Sequence, residues 1–154
     1  MALIIDNHPI VLRGNIVQLE PLSIKHVPDL TIAGQDEDIW QYMLYGTIRT
    51  EVEMRGWVND ILDRQAEGTD LPFAVIFRET GRAIGATRFM DIRPRHRGVE
   101  IGGTWYAVDY QRTAVNTEAK YLLLCHAFEV WRCIRVQFKT DLRNERSQRA
   151  LERI

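Results

Sequence analysis

The chain has 154 residues, 45% of them hydrophobic, and 20 basic against 21 acidic side chains, a formal net charge of −1. That length and apolar content fit one domain, residues 1–154, with a sizeable core, and the charge balance excludes bulk electrostatic attraction to nucleic acid or to an anionic membrane. No apolar run approaches a bilayer span, and the opening MALIIDNHPI lacks the basic region and long apolar stretch of a secretion signal, so a cytoplasmic protein is expected.

In chain order, IVLRGNIVQLEPL reads as two short strands turned at Arg13-Gly14-Asn15. From Ser23, SIKHVPDLTIAG predicts a short helix stopped at Gly34. RTEVEMRGWVNDILDRQAEG follows as a longer helix, with a Thr50/Glu53 capping box, Gly68 past its end, and Val52, Trp57, Ile61 and Leu62 on one face. LPFAVIFRETGRAIGATRFMDI is two apolar runs joined by Glu79-Thr80-Gly81-Arg82, a β-hairpin signal. After the basic RPRHR, Arg93 to Arg97, the run VEIGGTWYAV predicts a strand carrying two adjacent glycines. A helix from Asn116 to Trp131, a strand in CIRVQFKT and a helix from Asn144 complete the chain.

Only the strand–helix–strand passage around Asn116 demands a parallel crossover; elsewhere hairpins dominate. The expected class is therefore mixed α/β: a mostly antiparallel sheet flanked by helices, with one parallel pair. The stretch DYQRTAVNTEAK joins that strand to its helix. Such a junction suits phosphate, because the first amides of a helix lack internal partners. Cys125 and Cys133 read as free thiols. His8, His26, His96 and His126 show no ligand spacing, so no metal is expected.

EIGGTWY, YQRTAVNTEAK and FKTDLRNERSQRALERI, in that order, resemble the GNAT superfamily of acetyl-CoA-dependent N-acetyltransferases. The closer resemblance is to the branch holding the ribosomal-protein N-terminal acetyltransferases, and it covers nearly the whole chain. It implies a cleft for acetyl-CoA where the strand of Glu100–Ala107 splays from that of Ile134–Thr140. It also implies a pyrophosphate loop of the form Gln/Arg-x-x-Gly-x-Gly/Ala. Gln111 and Arg112 fit its start, with Thr113, Val115 and Thr117 between and after the small-residue positions of Ala114 and Asn116. Ala114 departs from the glycine usual there. If that position needs a positive φ, its β-carbon costs on the order of 1 kcal/mol.

Amide formation from a thioester needs a base for the amine proton, donors for the oxyanion and an acid for the departing thiolate. The resemblance implies Glu100 as the base, backbone groups of Trp105, Tyr106 and Ala107 for the thioester carbonyl, Ser147 for the sulfur and Asn144 for the pantetheine. The plain alternatives are an arginine-paired edge carboxylate for Glu100, with Arg95 or Arg97, a solvated serine for Ser147 and a helix N-cap for Asn144. Tyr42 and Tyr45 are candidates for the acceptor pocket, whereas Trp57 suits a core. RPRHR is either a solvated loop or a steering patch for an acidic acceptor.

The expected activity is acetyl transfer from acetyl-CoA, as cosubstrate, to a primary amine on a protein N-terminus or a small molecule. The alternative is a weak or inactive acyl-CoA-binding module. Membranes and nucleic acid are not expected partners. Relatives in the branch carry further strands after the position of Ile154, so an open strand edge and a homodimer or strand swap are expected.

Overall fold

The computed structural model describes residues 5–154, so the first four residues of the expected domain lie outside the described residues. One six-stranded sheet runs in chain order: β1 (Leu12–Arg13), β2 (Val17–Pro21), β3 (Leu71–Phe77), β4 (Arg82–Arg93), β5 (Gly98–Tyr106) and β6 (Arg135–Gln137). Neighbours are antiparallel until β5 and β6, which are parallel. Among the described residues the α-helices are α1 (Val27–Ala33), α2 (Glu51–Ala66), α3 (Ala114–Cys125) and α4 (Glu145–Glu152). The mixed α/β class expected from the sequence is the class observed.

Apolar residues cover both sheet faces. One face carries Leu19, Phe73, Phe89 and Ile101 against Val115, Ala119 and Leu123 of α3. The other carries Ala74, Ala86 and Trp105 against Leu30 of α1, Met54, Trp57 and Ile61 of α2, and Trp40. Each large side chain buried here stabilises the fold by about 1.5–3 kcal/mol.

Local chemistry explains the turns. Gly81, with φ 71°, closes the β3–β4 turn and donates to the Phe77 carbonyl at 2.8 Å. Thr50 and Glu53 form the capping box of α2, at 3.1 and 3.2 Å. Gly14 leaves room for the Glu118 carboxylate of α3, whose Oε2 accepts from Ile16 N at 2.8 Å and pins the first hairpin to that helix.

Four expectations need correction. Val52 is exposed, and the buried face of α2 is Met54, Trp57, Val58 and Ile61, the i, i+3, i+4, i+7 set. The helix expected from Ser23 is broken into a 3₁₀ turn, Ile24–His26, and α1, because Pro28 has no N–H to return to Ile24. The helix expected to open at Asn116 opens at Ala114 with Thr113 as its N-cap, and it ends in a π turn, His126–Val130. The strand expected through Thr140 pairs only from Arg135 to Gln137.

Candidate active site

The short β6 is what opens the site. Its parallel ladder with β5 ends at Glu100 opposite Gln137, while β5 continues to Tyr106. Beyond Glu100 the edge of β5 facing away from β4 has no strand partner among the described residues, so its backbone groups are available to a ligand. At the same point β5 bulges: Arg88 pairs with Gly102 but Ala86 with Trp105, and Gly103 sits at φ 60°. The extra residue reverses the alternation. Trp105 enters the α1–α2 core, while Thr104 and Tyr106 face α3.

From Tyr106 the chain turns into α3 through a hydrogen-bonded loop. Gln111 Nε2 donates to Tyr106 O at 3.1 Å, and Thr113 Oγ1 donates to Tyr110 O at 2.7 Å. The Tyr106 hydroxyl, its pKa pushed up by burial, donates to Asn116 Oδ1 at 3.0 Å. Arg112, Thr113, Ala114 and Thr117 are exposed around the first turn, whereas Val115 is buried in the core and its N–H is capped by Thr113 Oγ1 at 3.3 Å. The left-handed residue is Arg112, with φ 59°; Ala114 is helical. The strain anticipated for Ala114 therefore falls on Arg112 instead. Accordingly Ala114→Gly is expected to change the acetyl-CoA Kd less than about threefold by calorimetry, since it relieves no strained backbone. Arg112→Gly should stabilise the loop by on the order of 1 kcal/mol.

The helix α4 closes the other side. Asn144 is its N-cap, with Oδ1 accepting from Ser147 N at 3.2 Å, which leaves the half-buried Ser147 side chain on the first turn. Arg146 donates to Gln111 Oε1 at 3.1 Å and to Asp38 O at 3.2 Å, linking α4 to the loop before α3 and to the segment after α1. A cavity of about 350 Å³ lies here, lined by residues that include Asp38, Tyr42, Asn144 and Arg146. Tyr42 thus stands beside Asn144, its ring 5.8 Å from the Arg143 guanidinium. Tyr45 is placed differently, edge-on to Trp57 at 5.9 Å and to Trp40 at 6.5 Å.

Glu100 occupies the last rung before the split and is 5% exposed. Its Oε1 accepts from Gln137 Nε2 at 3.0 Å and lies 3.3 Å from Lys139 Nζ on the exposed rim. Neither Arg95 nor Arg97 takes it. Arg97 instead donates to the Arg132 carbonyl, and Arg93 of the basic loop pairs with Asp91.

A parallel pair that splits, a bulge at the split and a helix N-terminus beside it now stand together. The sequence matches the model of the acetyltransferase (GNAT) domain over residues 17–154. The chain belongs to the GNAT acetyltransferase family. A GCN5-related N-acetyltransferase from Brucella melitensis superposes with a TM-score of 0.87 at 28% identity, over 94% of this chain and 66% of that one. A protein from T. thermophilus, assigned as an acetyltransferase, gives 0.84 at 36% identity, over 95% and 74%. The ribosomal L7/L12 alpha-N-protein acetyltransferase RimL gives 0.79 at 19% identity, over 94% and 79%, a likeness of fold. None of the curated proteins matches the chain.

GNAT acetyltransferases use acetyl-CoA. The unpaired edge of β5 and the exposed first turn of α3 fit an extended thioester with a pyrophosphate. Two buried charged residues beside the β5 bulge escaped sequence reasoning. Arg88 of β4 and Lys120 of α3 are buried, at 4% and 5% exposure, and both lie against β5 at the bulge. Their only sequence signal is a charge inside an apolar run. No helix among the described residues is long and apolar enough to cross a membrane.

Proposed function

We propose that this GNAT acetyltransferase transfers the acetyl group to a primary amine, on a protein N-terminus or a small molecule, with Glu100 as the base. The observation that carries this reading is a buried carboxylate on the rung where β5 and β6 part. Acetyl-CoA, when bound, supplies an activated acetyl thioester. Gln111, Arg112, Thr113, Ala114, Asn116 and Thr117 would hold the pyrophosphate, with Val115 supporting the turn from the core. Backbone groups of Trp105, Tyr106 and Ala107 would line the thioester, and Asn144 would hold the pantetheine end of the cleft.

Glu100 takes the proton from the attacking amine, directly or through water, as the C–N bond forms and the C–S bond breaks. The Ser147 hydroxyl donates a hydrogen bond to the departing sulfur, which leaves as the thiolate and takes its proton from solvent, while Glu100 releases the amine proton to solvent. Tyr42 at the rim of the cavity would meet the acceptor, with Tyr45 behind it. RimL's substrate, by its name a protein α-amine, supports including protein N-termini among the acceptors tested.

Calorimetry with acetyl-CoA, followed by thiol release with a panel of amines, tests the proposal. Binding with amine-dependent thiol release is expected; binding without release from any amine would leave the acyl-CoA-binding module as the better reading. In the same assay Ser147→Ala is expected to lower kcat about tenfold or more while the acetyl-CoA KM holds. An unchanged kcat would remove Ser147 from the chemistry.

A further inference from the structure

Arg88 and Lys120 are the only buried Lys or Arg side chains among the described residues, and they converge on consecutive residues of β5. Arg88 approaches from the α1–α2 face. Its Nε lies 2.9 Å from Asp70 Oδ2, and its guanidinium covers Gly103 so closely that a β-carbon there would sit 2.4 Å from Nη1. Lys120 approaches from the α3 face, where Nζ donates to Thr104 Oγ1 at 2.6 Å. Thr104 in turn shares a 2.8 Å hydrogen bond with Thr87, and the Phe138 ring centroid lies 6.0 Å from Nζ.

A structural role for these cations would not require them to meet at one place. Burying an ammonium without an ion pair is costly, and a buried arginine needs a partner such as Asp70. Here both costs fall on Gly103–Thr104, the two residues of the bulge. They lie just past the last β5–β6 rung, where the unpaired strand edge begins. Glu100 is near by, with Oε2 3.4 Å from a β-carbon built on Gly102. The two glycines of EIGGTWY thus clear room for the Met90 sulfur, 2.7 Å from a β-carbon built on Gly102, and for the Arg88 guanidinium over Gly103.

We infer that Arg88 and Lys120 are positioning residues for acetyl transfer, which clamp the Gly103–Thr104 peptide from opposite faces of the sheet and surround it with positive charge. This rests on the acetyl-transfer reading above. As the C–N bond forms, negative charge grows on the acetyl oxygen, and as the C–S bond breaks it passes to sulfur. Positive charge behind the β5 backbone stabilises both, because in a dry site it needs no reorganisation. Arg88 carries it throughout, and Lys120 adds to it below about pH 7, where it holds its proton. Asp70 is the counter-ion of Arg88, its Oδ2 2.9 Å from Nε, while Nη1 is the guanidinium atom nearest a β-carbon built on Gly103.

The test uses acetyl-CoA labelled with ¹³C at the thioester carbonyl, bound to the full chain without acceptor, and reads the carbonyl stretch by infrared difference spectroscopy. Spectra and rates are all taken at about pH 6.5, where Lys120 holds its proton. The wild type is expected to shift it to lower frequency than in water. Lys120→Met and the paired change Asp70→Asn with Arg88→Met should each lose part of that shift, with the acetyl-CoA Kd within about threefold. With an accepted amine, kcat should fall at least tenfold in each, and Arg88→Lys should recover part of it. Failure to bind acetyl-CoA would sink the cofactor site itself. Binding with the same carbonyl frequency in wild type and variants would overturn only the role of the two cations. Lys120→Met removes no ion pair, so it keeps the test decisive if the Arg88 variant fails to fold.

Discussion

Glu100→Gln is expected to lower kcat for amine acetylation at least 100-fold near neutral pH, equivalent to about 2.7 kcal/mol, while acetyl-CoA still binds with its wild-type Kd. The substitution keeps shape and one acceptor oxygen, so Gln137 Nε2, now 3.0 Å from Glu100 Oε1, retains its hydrogen bond. What it removes is the capacity to take a proton. Residual activity should rise with pH as more acceptor is already the free amine, giving a steeper profile than the wild type. A stopped assay of thiol release across pH 6.5–9, alongside calorimetry, separates the two effects. A loss below about threefold would make Glu100 a clamp on β6 rather than a base. Lys139, 73% exposed and 3.3 Å from the same carboxylate, supplies the control, because neutralising it should move the rate little.

Much of the fold is legible in the sequence because it is written locally. The Thr50/Glu53 box, the Gly81 turn and the Asn144 cap each act within four residues, and each appears in place. The site is legible only where a motif carries it. Glu100 stands at the strand split, Gln111 and Asn116 both bond Tyr106, and Arg146 of α4, beside the Asn144 cap, joins Gln111. What local pattern does not carry is what long-range packing decides. Whether Ala114 or Arg112 takes the left-handed position depends on where α3 begins, and Thr113, not Asn116, caps it. How far β6 pairs depends on the bulge in β5, which reads as two adjacent glycines and nothing more. Arg88 finds Asp70, 18 residues earlier, and Lys120 finds Thr104, 16 residues earlier; each pair joins separate elements that only the fold brings together.

Lys120→Met is expected to stabilise the protein at neutral pH and to remove a rise in stability with pH that the wild type shows. Burial lowers the Lys120 pKa to about 7, against about 10.4 for a free lysine in the unfolded chain. Below pH 7 both states hold the proton, and the folded state carries the whole cost of a buried ammonium. Between about pH 7 and 10.4 the unfolded chain binds a proton that the folded chain lacks, so stability rises with pH by up to about 1.4 kcal/mol per unit. The hydrogen bond to Thr104 and the Phe138 ring are too small to cancel that penalty. Urea unfolding at pH 6.5 and 8.5 should therefore show the wild type gaining on the order of 1–2 kcal/mol at the higher pH beyond any gain in the Met variant. Equal gains in the two proteins would mean that Lys120 stays charged or reaches solvent. A variant that is more stable and yet slower in acetyl transfer would mark the buried ammonium as a group kept for the reaction at the expense of the fold.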